Sequence, residues 1–112
     1  MPTLAPLPPD RRIDRGKIED YLLHPIKGRG KAAFFESFGF SLARWHELHA
    51  ALLEHAATGE MTDAVVSPYG TRYIVRGALR TPDGRNPQPT VCTVWQAEGG
   101  ASGVRLITAY PD

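Results

Sequence analysis

The sequence predicts an α+β domain in which N-terminal helices pack on one face of a four-stranded antiparallel sheet. Two observations lead to this prediction: apolar residues recur at helical spacing before Gly59, and they alternate at every second position after it. A third observation is size, because 112 residues with 42% hydrophobic content are enough for one domain with its own core. We therefore divide the chain into an arm, residues 1–12, and a single domain, residues 13–112.

The arm has four prolines among its first ten residues and neither a helical nor a strand period, which is typical of an extended segment. The single cysteine of the chain, Cys92, excludes an internal disulfide. No apolar run is long enough for a membrane span or a signal peptide. We therefore expect a cytoplasmic protein without a membrane partner.

Three helices are predicted in the first half of the domain. The first places Ile18, Tyr21 and Leu22 on one apolar stripe and ends before Pro25. The hydroxyl of Ser41 is the predicted N-terminal cap of the third helix. The predicted helices are residues 14–24, 30–38 and 41–57.

The second half of the domain alternates apolar and polar residues in four segments, which predicts four strands. Residues Ser67–Gly70 have the composition of a tight turn and join the first two strands into a hairpin. Consecutive strands joined in this way favour an antiparallel sheet. The predicted strands are residues 61–67, 71–79, 89–96 and 103–110.

Basic residues are concentrated near the N-terminus, although the formal net charge is only +1. Residues 11–31 contain seven basic and three acidic residues, whereas residues 32–63 contain one arginine and five acidic residues. Residues 64–112 are again basic, with five arginines against three acidic residues. The charge is therefore distributed unevenly along the chain, although the net charge is small.

The histidines of the third predicted helix do not have the spacing of a metal site. His46 and His49 are three residues apart, whereas a zinc-binding helix needs histidines four residues apart. His55 lies on the opposite side of the helix from His46, so the three imidazoles cannot converge. We expect these histidines at the surface or rim of the domain, and we expect no metal and no cofactor.

Two groups of basic residues are candidate phosphate ligands. Lys27, Arg29 and Lys31 lie in a glycine-containing segment just before the second helix, where free backbone N–H groups favour an anion. Arg72 and Arg76 share one face of the second strand, which suits phosphate contacts. A solvated basic surface without a ligand is the alternative for both groups.

The last strand carries two hydroxyl groups near its end. Alternation predicts that Thr108 and Tyr110 lie on one face, together with Leu106. A hydroxyl and a phenol can hold a phosphoryl oxygen, but threonine and tyrosine are also good strand formers. His24, at the end of the first helix, is either a catalytic residue or a partner of the helix dipole.

Several motifs of the domain resemble those of a family of small, uncharacterised bacterial domains. Members of that family occur free-standing and at the ends of polymorphic toxins. The resemblance covers nearly everything after the arm. It rests on Lys17–Leu23 (KIEDYLL), Gly30–Phe40 (GKAAFFESFGF), Tyr69–Thr71, Pro82–Arg85, Thr93–Trp95 and Arg105–Pro111 (RLITAYP).

The closing motif RLITAYP is also similar to the last strand of the superfamily that groups barnase, EndoU, the tRNase colicins and RelE. Those proteins are metal-independent ribonucleases, and many are toxins with a cognate antitoxin. The resemblance implies catalytic roles for Thr108 and Tyr110 on the last strand and for Lys31 on the second helix. His24 is a fourth catalytic candidate, and Arg105 joins the candidate phosphate ligands.

The leading hypothesis is therefore a toxin-like endoribonuclease in which the 2′-hydroxyl of RNA attacks the adjacent phosphorus. No histidine pair of the EndoU type can be assigned, so lysine, arginine and tyrosine carry the proton transfers if His24 does not. The expected partners are RNA and a cognate antitoxin or immunity protein. The alternative is a non-enzymatic module that binds another protein through its exposed sheet and its arm. An antitoxin or immunity partner ranks last, because such proteins usually present an acidic face.

Overall fold

The computed structural model describes residues 7–24, 26–27, 30–97 and 103–112. In these ranges the chain forms a five-stranded mixed sheet and three helical segments. The strands are β1 (Arg11–Arg12), β2 (Glu60–Ser67), β3 (Gly70–Ala78), β4 (Thr90–Ala97) and β5 (Val104–Pro111). The helical segments are α1 (Arg15–Lys17, continued by a π-helical turn, Ile18–Leu22), α2 (Lys31–Glu36) and α3 (Trp45–Thr58).

The predicted four-stranded antiparallel sheet is wrong, although the chain is α+β as expected. The strand order is β1-β5-β4-β3-β2, and the neighbours from β5 to β2 are antiparallel. β1 adds a parallel pair in which Arg11 is opposite Val104 and Arg12 is opposite Arg105. A strand of two residues shows no alternation, and its partner lies 93 positions later in the sequence. No local pattern could therefore reveal the fifth strand.

The end of the predicted arm is part of the folded domain. Leu7 is buried in the core, and its carbonyl accepts a hydrogen bond from Arg11 Nη2 at 2.9 Å. The carbonyl of Asp10 accepts a hydrogen bond from Val104 N at 2.8 Å. Proline-rich sequence does predict extended backbone here, but the segment is fixed by burial of Leu7, by a contact within the segment and by a contact with the last strand.

The helices differ from the sequence prediction in length and type. α1 has three α-helical residues before the chain widens into the π-helical turn, in which Leu23 N donates to Ile18 O at 2.8 Å. α3 begins at Trp45, four residues after the predicted cap at Ser41. The Ser41 hydroxyl does accept a backbone hydrogen bond, from Arg44 N at 3.3 Å, but it caps the turn before α3.

The helices and the sheet enclose one core, whose largest fully buried side chains include Trp95 from β4 and Phe35 from α2. The end of α3 approaches β3 at a contact between two glycines. A Cβ atom at Gly59 would lie 2.7 Å from Val75 Cγ1, and a Cβ atom at Gly77 would lie 2.9 Å from Gly59 Cα. Side chains are therefore excluded at both positions, which lets the helix lie directly on the sheet.

His55, expected at the surface or rim, is instead buried, with 1% of its surface exposed. Its Nε2 atom lies 2.8 Å from Val91 O, and its Nδ1 atom lies 3.3 Å from Thr93 Oγ1. Thr93 Oγ1 also accepts a hydrogen bond from Trp95 Nε1 at 2.8 Å. One arrangement of protons satisfies all three contacts: the indole donates to Thr93, Thr93 donates to Nδ1, and Nε2 donates to the carbonyl. The imidazole in this network is neutral.

The buried imidazole is expected to make the fold sensitive to acid. Burial lowers the pKa of His55 below the ordinary histidine value of 6.5, so the unfolded chain binds a proton at a pH where the folded chain does not. The free energy of unfolding should decrease as pH falls below about 6.5, by at most about 1.4 kcal/mol per pH unit from this group. The decrease stops below the folded-state pKa. Urea unfolding measured at several pH values checks this slope.

The matched variants for that experiment are His55→Gln and His46→Gln. The first removes the buried imidazole, so the part of the slope due to His55 should disappear. The second variant changes an exposed histidine on the same helix, so the part of the slope due to His55 should remain. Equal slopes in wild type and His55→Gln would contradict the prediction.

Candidate active site

Tyr21 lies where the N-terminal helical segment meets the last strand. The π-helical turn buries Ile18 and Leu22 completely, and Tyr21 packs against the rim of the core. Its hydroxyl lies 3.3 Å from Thr108 Oγ1 on β5, so this contact joins residues 87 positions apart. π-helical turns occur frequently at functional sites.

A β-bulge determines the position of Thr108. Leu106 and Thr108 pair with adjacent residues of β4, so Ile107 is an extra residue on β5. Adjacent residues of a strand face opposite sides, and Thr108 therefore does not share a face with Leu106 as alternation predicted. Beyond Arg105, β5 has no pairing with β1. Thr108 lies in this free portion of the edge, where Tyr21 reaches it.

Two lysines complete the group of side chains around the Tyr21 phenol. Lys17 Nζ lies 4.8 Å from the centroid of the Tyr21 ring, and Lys31 Nζ lies 5.5 Å from it. The hydrogen bond with Thr108 and the positive charges of both lysines lower the pKa of Tyr21, while partial burial acts in the opposite direction. We call these four residues, Lys17, Tyr21, Lys31 and Thr108, the Tyr21 cluster.

The Tyr21 cluster combines functions that suit proton transfer next to an anion. A phenol with a lowered pKa ionises more readily, and its phenolate can accept a proton and return it. The two ammonium groups can stabilise negative charge that develops in a transition state. The Thr108 hydroxyl can hold the phenolate oxygen in place.

Of the four catalytic candidates from the sequence, Lys31 and Thr108 meet at Tyr21, but His24 is engaged elsewhere. The Nδ1 atom of His24 accepts hydrogen bonds from Ile26 N at 3.1 Å and from Lys27 N at 3.0 Å. Its ring therefore holds the turn that follows the first helical segment. Lys27 is exposed on that turn, and Arg29 lies outside the described residues.

Tyr110 and Arg76 belong to a second group of side chains, near Asp112. Arg76 donates two hydrogen bonds to Asp112 Oδ2, from Nε at 2.9 Å and from Nη2 at 2.6 Å. Cys92 Sγ lies 3.5 Å from Asp112 Oδ1, and Tyr110 is the cross-strand partner of Cys92. Burial raises the pKa of both Cys92 and Tyr110. The hydroxyl groups of Thr108 and Tyr110 thus have different partners, and the Arg76 charge is already paired.

Arg72 and Arg105 lie on the face of the sheet that the helices do not cover. Together with Arg12 they line an open pocket of about 550 Å³. Arg12 was not among the candidates from the sequence, because it falls in the segment assigned to the arm. The pocket has no residue in common with the Tyr21 cluster, but both include residues of β5.

Sequence reasoning also missed Tyr21, which was counted as part of a buried helical stripe. One local signal was available: Lys17 precedes Tyr21 by four positions, so the two share one side of a helix. The contact with Thr108 has no local signature.

Two negative findings concern the described parts of the chain. Within them, no three His, Cys, Asp or Glu side chains lie close enough together to hold a metal ion. None of the helices there combines the length and the apolar content that a membrane crossing requires.

Comparison with known proteins identifies the family. A family model described as a domain of unknown function (DUF6883) matches residues 9–112. No curated protein and no solved structure matches the chain. The family match confirms the expected membership in a family of uncharacterised domains, and it includes all four residues of the Tyr21 cluster. Because it covers far more than half of the sequence, the chain belongs to the DUF6883 family.

Proposed function

We propose that the chain is a metal-independent endoribonuclease that cleaves RNA by transesterification. The observation that carries this proposal is the convergence of Lys31 and Thr108 on one ionisable phenol, that of Tyr21. The resemblance to ribonucleases implied catalytic roles for these two residues, which lie far apart in the sequence. Their contact with a tyrosine of lowered pKa is an independent observation that supports the same chemistry.

Tyr21 and the two lysines of the Tyr21 cluster take part in the proposed reaction, and the Thr108 hydroxyl holds the phenolate oxygen in place. The Tyr21 phenolate accepts the proton of an RNA 2′-hydroxyl, whose oxygen forms a bond to the adjacent phosphorus. Lys31 stabilises the charge on the non-bridging phosphoryl oxygens. The bond from phosphorus to the 5′-oxygen breaks, and the ammonium group of Lys17 donates the proton that this oxygen takes up. The products are a 2′,3′-cyclic phosphate and a 5′-hydroxyl.

Single-stranded or loop RNA is the proposed substrate. Unpaired nucleotides can be splayed out and stacked on exposed side chains, whereas a duplex holds its bases in the helix. In a toxin-like protein, a cognate antitoxin or immunity protein would be the second partner. This partner would have to cover the Tyr21 cluster or the surface that holds the RNA.

A non-enzymatic interaction module is the second candidate, and one observation favours it. β2 is the edge strand at the end of the sheet opposite β1. Val65 and Val66 on this strand are 55% and 82% exposed. An edge strand with exposed apolar side chains can pair with a strand of another protein.

The test of the proposed function is incubation of the purified protein with total bacterial RNA in EDTA. We expect discrete cleavage products that carry 2′,3′-cyclic phosphate ends, which are identified by phosphatase resistance and mass spectrometry. The Lys31→Ala and Thr108→Ala variants should lose most of this activity because each removes a contact with Tyr21. Thr58→Ala is the matched control, since Thr58 is an exposed residue at the end of α3.

Either of two results would overturn the proposal. One is that folded wild-type protein does not cleave RNA, which would favour the interaction module. The other is cleavage that Lys31→Ala and Thr108→Ala retain at the level of Thr58→Ala, which would point to a contaminating nuclease or to another site.

A further inference from the structure

Three arginines and one glutamine form a straight row across the uncovered face of the sheet. Arg12 on β1 is in register with Arg105 on β5, Arg105 with Gln96 on β4, and Gln96 with Arg72 on β3. With adjacent strands about 4.8 Å apart, the row spans about 14 Å. The side chains of all four residues line the pocket of about 550 Å³. We call it the arginine pocket.

The row concentrates positive charge on one face of the sheet. Arg12 and Arg105 occupy directly opposed positions on neighbouring strands. Arg72 and Arg105 are exposed and make no ion pair with any residue in the described ranges. By contrast, Arg15, Arg76, Arg80 and Arg85 each pair with a carboxylate. An anion lying across the pocket would pair with the guanidinium groups of Arg72 and Arg105.

The rim of the arginine pocket carries an exposed aromatic ring. Tyr69, in the turn between β2 and β3, is 84% exposed. Its carbonyl accepts a hydrogen bond from Gln96 Nε2 at 3.3 Å, which ties the turn to the middle of the sheet. Gly70 has a φ of +113°, and a Cβ atom there would lie 3.1 Å from Ala97 O. A glycine at this position therefore lets the turn lie close to β4 and keeps Tyr69 beside the pocket.

The arginine pocket adjoins the Tyr21 cluster through the bulge of β5. Ile107, the extra residue of the bulge, lines the pocket, and the next residue is Thr108. A linear polyanion longer than one phosphate can therefore contact the Tyr21 cluster and continue onto the row of arginines.

We propose that the arginine pocket binds the sugar-phosphate backbone of single-stranded RNA beside the cleaved bond, with a base stacked on Tyr69. This inference rests on the proposed function for the identity of the nucleic acid. Guanidinium groups bind phosphate oxygens through two parallel hydrogen bonds. Aromatic rings stack on unpaired bases without regard to sequence. The pocket therefore gives affinity for single strands rather than recognition of particular bases.

Binding is tested separately from cleavage with a fluorescent RNA of about 12 nucleotides, a length within the range of single-strand binding surfaces. Its 2′-hydroxyls are methylated, so the attacking group is absent and the strand stays intact. Fluorescence anisotropy should show that Arg72→Gln and Arg105→Gln each raise Kd about tenfold. Each should also reduce the salt slope, log K against log salt concentration, by about 0.7. Tyr69→Ala should raise Kd about tenfold with the slope unchanged.

Arg80→Gln is the matched control, because Arg80 follows β3 and pairs with Glu54 of α3 on the helical side of the sheet. The Arg80→Gln variant loses the same charge as the pocket variants, and its Kd for the RNA should equal that of the wild type. The inference is overturned if the wild type does not bind the strand, or if Arg72→Gln and Arg105→Gln bind like Arg80→Gln.

The outcomes also separate this inference from the proposed function. Binding that depends on Arg72 and Arg105, with no cleavage of the unmethylated strand, would overturn the nuclease and support the pocket. Cleavage that is unchanged in both arginine variants at low RNA concentration would support the nuclease and overturn the pocket.

Discussion

Replacement of Tyr21 by phenylalanine is expected to slow RNA cleavage by about 10²- to 10⁴-fold, the usual contribution of a general base or acid. The substitution removes only the hydroxyl that contacts Thr108 and leaves the ring that packs against the core. The variant should therefore keep its thermal stability to within a few degrees. Single-turnover cleavage of a short RNA, measured with excess enzyme, gives the rate constant for comparison.

Tyr73→Phe is the matched control for this prediction. Tyr73 is also partly buried against the core, but its hydroxyl makes no hydrogen bond with the described residues. The Tyr73→Phe variant should cleave RNA at the wild-type rate. A Tyr21→Phe variant that is folded and cleaves as fast as Tyr73→Phe would remove Tyr21 from the mechanism.

The dependence of the rate on pH tests whether Tyr21 acts as the base. A base of this kind works when it is ionised, so the rising part of the pH–rate profile should follow the ionisation of Tyr21, whose pKa lies below the ordinary value of 10.0. The hydrogen bond from Thr108 is the largest cause of the lowered pKa. Thr108→Val should therefore move the rise to higher pH, and Thr108→Ser, which keeps a hydroxyl, should largely restore it.

Replacement of Trp95 by alanine should have the largest effect on stability, with a loss of about 3–5 kcal/mol. The indole is fully buried and is the largest side chain in the core. Its removal leaves a cavity, and it also leaves Thr93 without the donor that Trp95 Nε1 provides. Domains of this size have a total unfolding free energy of about 5–15 kcal/mol, so the variant should lose a large fraction of its stability.

Urea unfolding followed by circular dichroism measures this loss. Val66→Ala is the control, because Val66 is 82% exposed and its truncation should change the free energy by less than about 0.5 kcal/mol. A Trp95→Ala variant as stable as Val66→Ala would mean that the core does not depend on the indole.

The parts of the fold that sequence predicts well are those set by neighbouring residues. The β2–β3 hairpin is confirmed, with Ser67 opposite Gly70 across a two-residue turn. β4 and β5 also lie within one or two residues of their predicted limits. β1 was missed because two residues carry no period, and the bulge at Ile107 was missed because an extra residue is visible only when two strands are aligned.

In the candidate site, too, sequence reveals the features set by neighbouring residues and misses those set by distant ones. Lys31 and Thr108 were reached through the resemblance to ribonucleases, and both side chains lie beside Tyr21. Tyr21 looked like a core residue because a half-buried aromatic has the same helical spacing as a buried one. The burial of His55 was missed because its acceptor carbonyl and Thr93 lie on β4, more than 30 positions away in the sequence. The positions of Tyr21 and His55 both depend on hydrogen bonds to residues that are distant in the sequence.

The position of β5 inside the sheet, between β1 and β4, has a consequence for the order in which the molecule is assembled. β5 is the last strand in the sequence, yet it lies between β1 and β4 and pairs with both. Until β5 leaves the ribosome, β1 lacks the strand with which it pairs, and the Tyr21 hydroxyl lacks its contact with Thr108. A nascent chain can build the β2–β3–β4 meander, but not the Tyr21 cluster. The proposed nuclease would therefore lack the contact between Tyr21 and Thr108 until β5 is synthesised.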